Sequence, residues 1–198
     1  MFDRSLLARS AVEVAPLLLG AHLVSGDLTL RITEVEAYLG VGEDPGSHSF
    51  RGKTRRNEVM FGEPGHLYTY FTYGMHVCAN VVCSPAGSAS AVLLRAGEII
   101  EGVDVARARR LTSKSDVDLA RGPARLVVAL GITLADGGAD LAAGPLRLEL
   151  PAEASAHTSS ARTGVSGDGG GESYPWRFWI PGDPTVSPYK AHTPKKRS

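Results

Sequence analysis

Glu36 and Tyr38 stand two residues apart at the end of a strand-like run, residues 28–38, a spacing that turns both side chains to one side of a strand. Leu28, Leu30 and Ile32 share one face of that run, and Glu34 and Glu36 continue the same parity. A carboxylate ending an apolar face is partly buried and can serve as a general base on water. Parity alone weighs equally for an exposed strand-end charge after a bulge. Tyrosines form a second set. Tyr68 and Tyr70 share a face of the run 67–71, and Tyr73 sits in the turn Thr72-Tyr73-Gly74, followed by Met75. A large aromatic at a turn has little nearby to bury it. Tyr73 therefore either folds back onto the core or projects as a wedge able to enter a stack of bases.

Charge is informative only locally, because 21 Lys and Arg balance 21 Asp and Glu. Arg51, Lys53, Arg55 and Arg56 gather in a Gly-containing segment, with no acid between Asp44 and Glu58. Such a cluster can hold phosphates, since its field acts within about 10 Å. Arg107, Arg109, Arg110 and Lys114 form a second run and Lys190, Lys195, Lys196 and Arg197 a third; each reads first as a solvated face. The sequence contains no G-x-S-x-G elbow, P-loop or dinucleotide fingerprint, so acyl, phosphoryl and hydride transfer lack support. No C-x-x-C or H-E-x-x-H spacing suggests a metal. Cys78 and Cys83 would face opposite sides of a continuous strand and read as buried structural thiols.

These groups need a scaffold. With 198 residues the chain can build one core but not two ordinary domains. Ser10 and Glu13 fit a capping box ahead of Val14, Leu17 and Leu18, although Pro16 conflicts with a continuous helix. A hairpin is expected over residues 23–38 and another over 67–82, with further strands at 91–96, 146–150 and 178–180. Helices are expected at 102–110 and from Gly122-Pro123 to Gly131. The long loop 41–65 is of a kind that tends to carry function. The Gly-rich stretch 167–171 reads as a mobile loop, and residues 190–198 as a flexible basic tail. The expectation is one α+β domain over residues 1–198: a curved, mainly antiparallel sheet with flanking helices and a protruding hairpin. Apolar runs such as 15–19 are too short to cross a bilayer, and Met1-Phe2-Asp3-Arg4 does not open a signal peptide; a cytoplasmic protein is expected.

Several stretches together resemble the alkyladenine (3-methyladenine) DNA glycosylase family of the mammalian-type fold. They are Thr33-Glu34-Val35-Glu36-Ala37-Tyr38-Leu39-Gly40, His48-Ser49-Phe50-Arg51-Gly52, Met60-Phe61-Gly62-Glu63-Pro64-Gly65, Tyr68-Thr69-Tyr70-Phe71-Thr72-Tyr73-Gly74-Met75 and Ala91-Val92-Leu93-Leu94-Arg95-Ala96. Arg121-Gly122-Pro123 and Arg177-Phe178-Trp179 extend the likeness along nearly the whole chain. The resemblance implies base-excision repair of duplex DNA carrying alkylated or deaminated purines, by flipping the base and hydrolysing its glycosidic bond. It implies Glu36 as the base that activates water and Arg95 as the arginine that holds that water and carboxylate. Tyr38, His48 and Tyr70 would line the base pocket, and Asn80 would crowd a guanine amine. Tyr73, with Met75 beside it, would enter the duplex. Arg51, Lys53, Arg55 and Arg56 are the expected phosphate contacts. His76 departs from the pattern, standing where some relatives carry an aromatic behind the wedge. No lysine is a sequence neighbour of Glu36, so a monofunctional hydrolase is expected, monomeric and without metal or organic cofactor. The alternatives are a non-catalytic nucleic-acid-binding module on the same fold, which leaves Glu36 and Arg95 idle, and an enzyme on free nucleosides, which leaves Tyr73 and the basic loop idle.

Overall fold

The computed structural model describes residues 3–72 and 74–193. Asp3 caps α1 (Arg4–Leu7), and Ser10 with Glu13 forms the expected capping box at the start of α2 (Ala11–Val14). Pro16 explains why α2 is so short. It lacks an N–H and is tolerated only in a first turn, so the chain tightens after Val14 into a 3-10 turn, Ala15–Leu18.

Eight antiparallel strands follow. The hairpin β1 (His22–Ser25) and β2 (Leu28–Tyr38) turns through Gly26-Asp27. A second hairpin, β3 (Leu67–Thr72) and β4 (His76–Cys83), pairs Thr72 with His76 at its end. With β5 (Ser90–Glu101) and β6 (Leu146–Glu149) the sheet runs β3-β4-β5-β2-β1-β6. Beside β1, the far half of β2 takes β8 (Arg177–Trp179), which also pairs β7 (Thr158–Ser160), a strand without a sequence signal. Helix α3 (Val103–Arg109) follows Gly102, and α4 (Pro123–Leu130) opens on proline and closes at Gly131, which takes the left-handed φ of 71° of a C-terminal cap. Helix α4 buries Leu126, Val127, Ala129 and Leu130 against β4 and β5. One face of the sheet thus joins the helices in the main core, which includes Ala79, Val81, Cys83, Val92 and Leu94. The opposite parity of the same strands carries a smaller cluster around Met60, Tyr68, Val82 and Ala91. Cys78 and Cys83 are both buried and unbridged, and they do face opposite sides. The antiparallel α+β domain is as expected, and among the described residues no helix is long and apolar enough to cross a membrane.

The alternation along β2 does not run through. Its register against β5 slips between Ile32 and Glu34 and again between Glu34 and Val35. Val35 and Ala37 therefore join Leu28, Leu30 and Ile32 in the core, and Glu34, Glu36 and Tyr38 turn to the other face. The parity expected for the two acids fails, yet so does the exposed strand-end charge. Both carboxylates are 0 % exposed, because the face they reach is covered by later segments of the chain.

Glu34 anchors that cover. Its Oε1 accepts hydrogen bonds from Arg95 Nε at 2.8 Å and Arg177 Nε at 2.7 Å, and its Oε2 accepts one from the Ser187 N–H at 2.6 Å. Burial opposes ionisation, but the charges of Arg95 and Arg177 outweigh it and hold the carboxyl below the usual range. Strands β2, β5 and β8 and the C-terminal segment are thereby tied at one point.

Glu34→Gln leaves two buried guanidiniums short of a charge, so urea unfolding at pH 7 should show a loss of about 3–5 kcal/mol. Because the folded pKa is depressed, the native advantage is complete above the ordinary glutamate range. It shrinks as pH falls through the folded value. A gap between native and variant that stays constant into acid would contradict this account.

Candidate active site

The covered face of β2 opens into a cleft of about 510 Å³. Glu36 and Tyr38 come from β2, Tyr68 and Tyr70 from β3, Cys78 and Asn80 from β4, and Leu93 and Arg95 from β5; residues 45–48 and 163–166 close the sides. Glu36 is the one acid lining it among the described residues.

Glu36 is held at both oxygens. Oε1 accepts the Thr163 N–H at 2.7 Å and faces Arg95 Nη1 at 3.3 Å; Oε2 accepts the Tyr38 hydroxyl at 2.9 Å. Burial, reinforced by the Glu36 charge, pushes the Tyr38 phenol well above its ordinary pKa, so it stays a proton donor. Arg95 bridges Glu36 and Glu34, and its Nη2 reaches Ser187 Oγ at 3.3 Å. Burial disfavours its charge, but the two carboxylates more than compensate and raise its pKa. Each carboxylate oxygen offers two lone pairs, and the Tyr38 hydroxyl is the one donor to Oε2 among the described residues.

The opposite wall is aromatic. His48 meets Tyr70 edge-on at 4.5 Å between ring centroids, and Tyr68 stacks on Tyr70 at 5.7 Å. His48 Nδ1 lies 3.2 Å from the Tyr68 hydroxyl. Desolvation at the cleft wall, then the charge of Arg56, lowers the His48 pKa and favours a neutral ring. Burial pushes the Tyr68 phenol up to about 12 and that of Tyr70 higher still. Asn80, cross-strand from Tyr68, donates from its amide to the Tyr68 carbonyl at 3.0 Å, which fixes its side chain over the floor. The expected pocket residues Tyr38, His48, Tyr70 and Asn80 and the expected pair Glu36 and Arg95 therefore share one cavity.

A second ion pair lies behind Tyr38. Arg162, 1 % exposed, grips Asp44 with both terminal nitrogens at 2.6 and 2.7 Å and also donates to the carbonyls of Ala37 and Gly169. Its guanidinium stands 4.4 Å from the Tyr38 ring centroid and 5.2 Å from that of Trp176. Sequence reasoning missed Arg162, Asp44 and Thr163, because their positions carry no motif and their partners lie far along the chain. The stretch 167–171 needs correction too. Gly169 is buried, and a Cβ there would stand 2.4 Å from the Gly46 nitrogen, so the glycine permits close packing and does not mark a mobile loop. The expected loose tail likewise begins anchored: the Lys190 carbonyl accepts the Gly164 N–H at 2.9 Å, and Lys190 lines the cleft. Lys195, Lys196 and Arg197 lie outside the described residues.

The remaining expected residues that are described do not line the cleft. Arg51, Lys53, Arg55 and Arg56 are all exposed, and no acid pairs with them among the described residues. Arg56 leans onto the second hairpin, donating to the Phe71 carbonyl at 3.0 Å. By contrast, in the second run Arg107 is bound to Asp104 and Asp116, Arg110 lies near Asp118, and Arg109 donates to the Ala129 carbonyl. At the hairpin end Met75 is 68 % exposed and Phe71 47 %. Tyr73 lies outside the described residues.

The family described as Methylpurine-DNA glycosylase (MPG) matches residues 5–184. A protein of Leifsonia xyli subsp. xyli named "Putative 3-methyladenine DNA glycosylase" is 62 % identical over 197 residues, covering 96 % of this chain and 92 % of that one. A protein of the same name from Streptomyces avermitilis is 57 % identical, covering 98 % and 94 %. One from Cutibacterium acnes is 48 % identical, covering 91 % and 96 %. With a match over nearly its full length and relatives at this level of identity, the chain belongs to the methylpurine-DNA glycosylase family.

Proposed function

We propose that the chain excises alkylated or deaminated purines from duplex DNA by hydrolysis, with Glu36 as the general base. The observation that carries this reading is the triply held Glu36 carboxylate facing an aromatic wall across one cleft. Extruding a purine costs a few kcal/mol of stacking and pairing, least at a lesion. Stacking on rings such as Tyr38, Tyr70 and His48 returns about 1–3 kcal/mol per base, enough to balance that cost. Electron-rich ring faces also favour a cationic alkylated purine over a neutral one. On this reading Asn80, held by the Tyr68 carbonyl, crowds a guanine amine.

Hydrolysis then needs a water behind the sugar. Glu36 takes one of its protons through Oε2, and its negative charge stabilises the oxocarbenium-like sugar as the base departs. Arg95 orients the carboxylate. On this reading the exposed Arg51, Lys53, Arg55 and Arg56 contact phosphates, and Tyr73 and Met75 fill the vacated stack. The product is an abasic site, and no covalent enzyme intermediate forms. A binding module without chemistry has no use for a buried acid aimed into its ligand cleft.

A hairpin duplex with one hypoxanthine or methylated purine, heated in alkali after incubation, reports excision. The native chain should cleave it, and Glu36→Gln should retain binding while losing about 10²–10⁴-fold in rate; equal cleavage by the variant would refute the assignment. Borohydride added during the native reaction should trap no adduct, although Lys190 borders the cleft. Tyr38→Ala should narrow the preference for methylated over normal adenine by about tenfold, the worth of one stacking partner. Unchanged selectivity would remove Tyr38 from the base sandwich.

A further inference from the structure

One buried polar side-chain atom among the described residues has no hydrogen-bond partner, the hydroxyl oxygen of Thr163. Other buried hydroxyls are paired: Thr33 with Thr185, Ser84 with Ser90 and Ser47 with Ser49. The exception stands beside the acid of the cleft. The Thr163 N–H is bound to Glu36 Oε1 at 2.7 Å, and the next residue, Gly164, is bound through its N–H to the Lys190 carbonyl at 2.9 Å. With the backbone pinned at both residues, the freedom left to Thr163 is rotation about Cα–Cβ.

Thr163 lines the cleft and is partly exposed, while its hydroxyl oxygen is shut in. What it shows to the cleft is carbon and backbone. An unpaired buried hydroxyl is a cost that valine, of nearly the same shape, would not carry. The cost is recovered if the hydroxyl gains a partner when the cleft is occupied.

We infer that the Thr163 hydroxyl is a further ligand of the water that Glu36 activates, a role that rests on the excision reading above. One staggered step about Cα–Cβ carries Oγ1 toward the cleft. The water then directs one O–H to Glu36 Oε2 and the other to Thr163 Oγ1, leaving a lone pair for the sugar C1′. As the water oxygen bonds to C1′, the C1′–N bond breaks and its electron pair leaves with the base. One water proton passes to Glu36; the other stays on the new hydroxyl, hydrogen-bonded to Thr163, whose own proton does not move. The step needs no further reactant.

Three proteins test this: the native chain, Thr163→Val and Thr163→Ser. Each is measured for single-turnover excision on the lesion hairpin, for binding to an uncleavable 2′-fluoro lesion duplex, and for urea unfolding. The valine variant should be at least as stable and bind as tightly as the native chain, yet excise about tenfold more slowly, whereas serine keeps most of the rate. A slower enzyme that is no less stable is an outcome that a purely structural threonine does not give. Excision by Thr163→Val at the native rate, or equal slowing of Val and Ser, overturns the role of Thr163 and leaves Glu36 in place. No excision by the native chain, or undiminished excision by Glu36→Gln, removes the excision reading and this role together.

Discussion

Arg95 sits between two buried carboxylates, and much of the molecule is arranged around that sharing. Its Nε binds Glu34 at 2.8 Å and its Nη1 faces Glu36 at 3.3 Å. Buried charges are tolerated only when paired and hydrogen-bonded. Here Arg95 and Arg177 balance Glu34 and Glu36, and the Ser187 N–H, the Tyr38 hydroxyl and the Thr163 N–H satisfy the remaining oxygens. Glu34 is spent on structure: it locks β2, β5, β8 and the C-terminal segment together. That leaves Glu36, two residues on, as the one acid lining the cleft among the described residues. The same arginine thus couples the integrity of the sheet to the orientation of the acid.

A second buried pair supports the other half of the site. Asp44 holds Arg162 bidentately, and Arg162 lies against Tyr38 while capturing the carbonyls of Ala37 and Gly169. The loop 41–65, the segment 162–170 and β2 are thereby tied to one another through the Arg162 guanidinium. Glycines at 46 and 169 allow the two loops to approach more closely than any side chain would permit. A long loop is kept in one conformation by ions and close contact, which is what placing His48 against Tyr70 requires.

Much of this was legible from residue order, though not always for the right reason. Turn chemistry located both hairpins, the capping box at Ser10 and the proline and glycine that bound α4. The i, i+2 spacing correctly placed Glu36 with Tyr38. The parity argument for their burial did not hold, since the register slip near Glu34 moves both to the face away from the main core; bulges leave no mark in an apolar–polar pattern. Arg95, His48 and Asn80 emerged through family resemblance alone. Arg162 and Asp44 are 118 residues apart in sequence and Glu34 and Ser187 are 153 apart, and no local pattern announces a pairing at that range. The Gly-rich stretch was misread because composition reports freedom of the unfolded chain, while close packing in the fold removed it.

The central claim is that Glu36 acts through a water on the sugar of a nucleotide lodged in this cleft. Its most direct test is a crystal structure with a duplex carrying a cationic cyclic-amine analogue of the abasic sugar, which mimics the charge developing at C1′. The account predicts the analogue in the cleft, with one ordered water in hydrogen-bond reach of Glu36 Oε2 and facing the position of C1′. A sugar analogue bound elsewhere, or one whose water is held by another group while Glu36 stays remote, would contradict it.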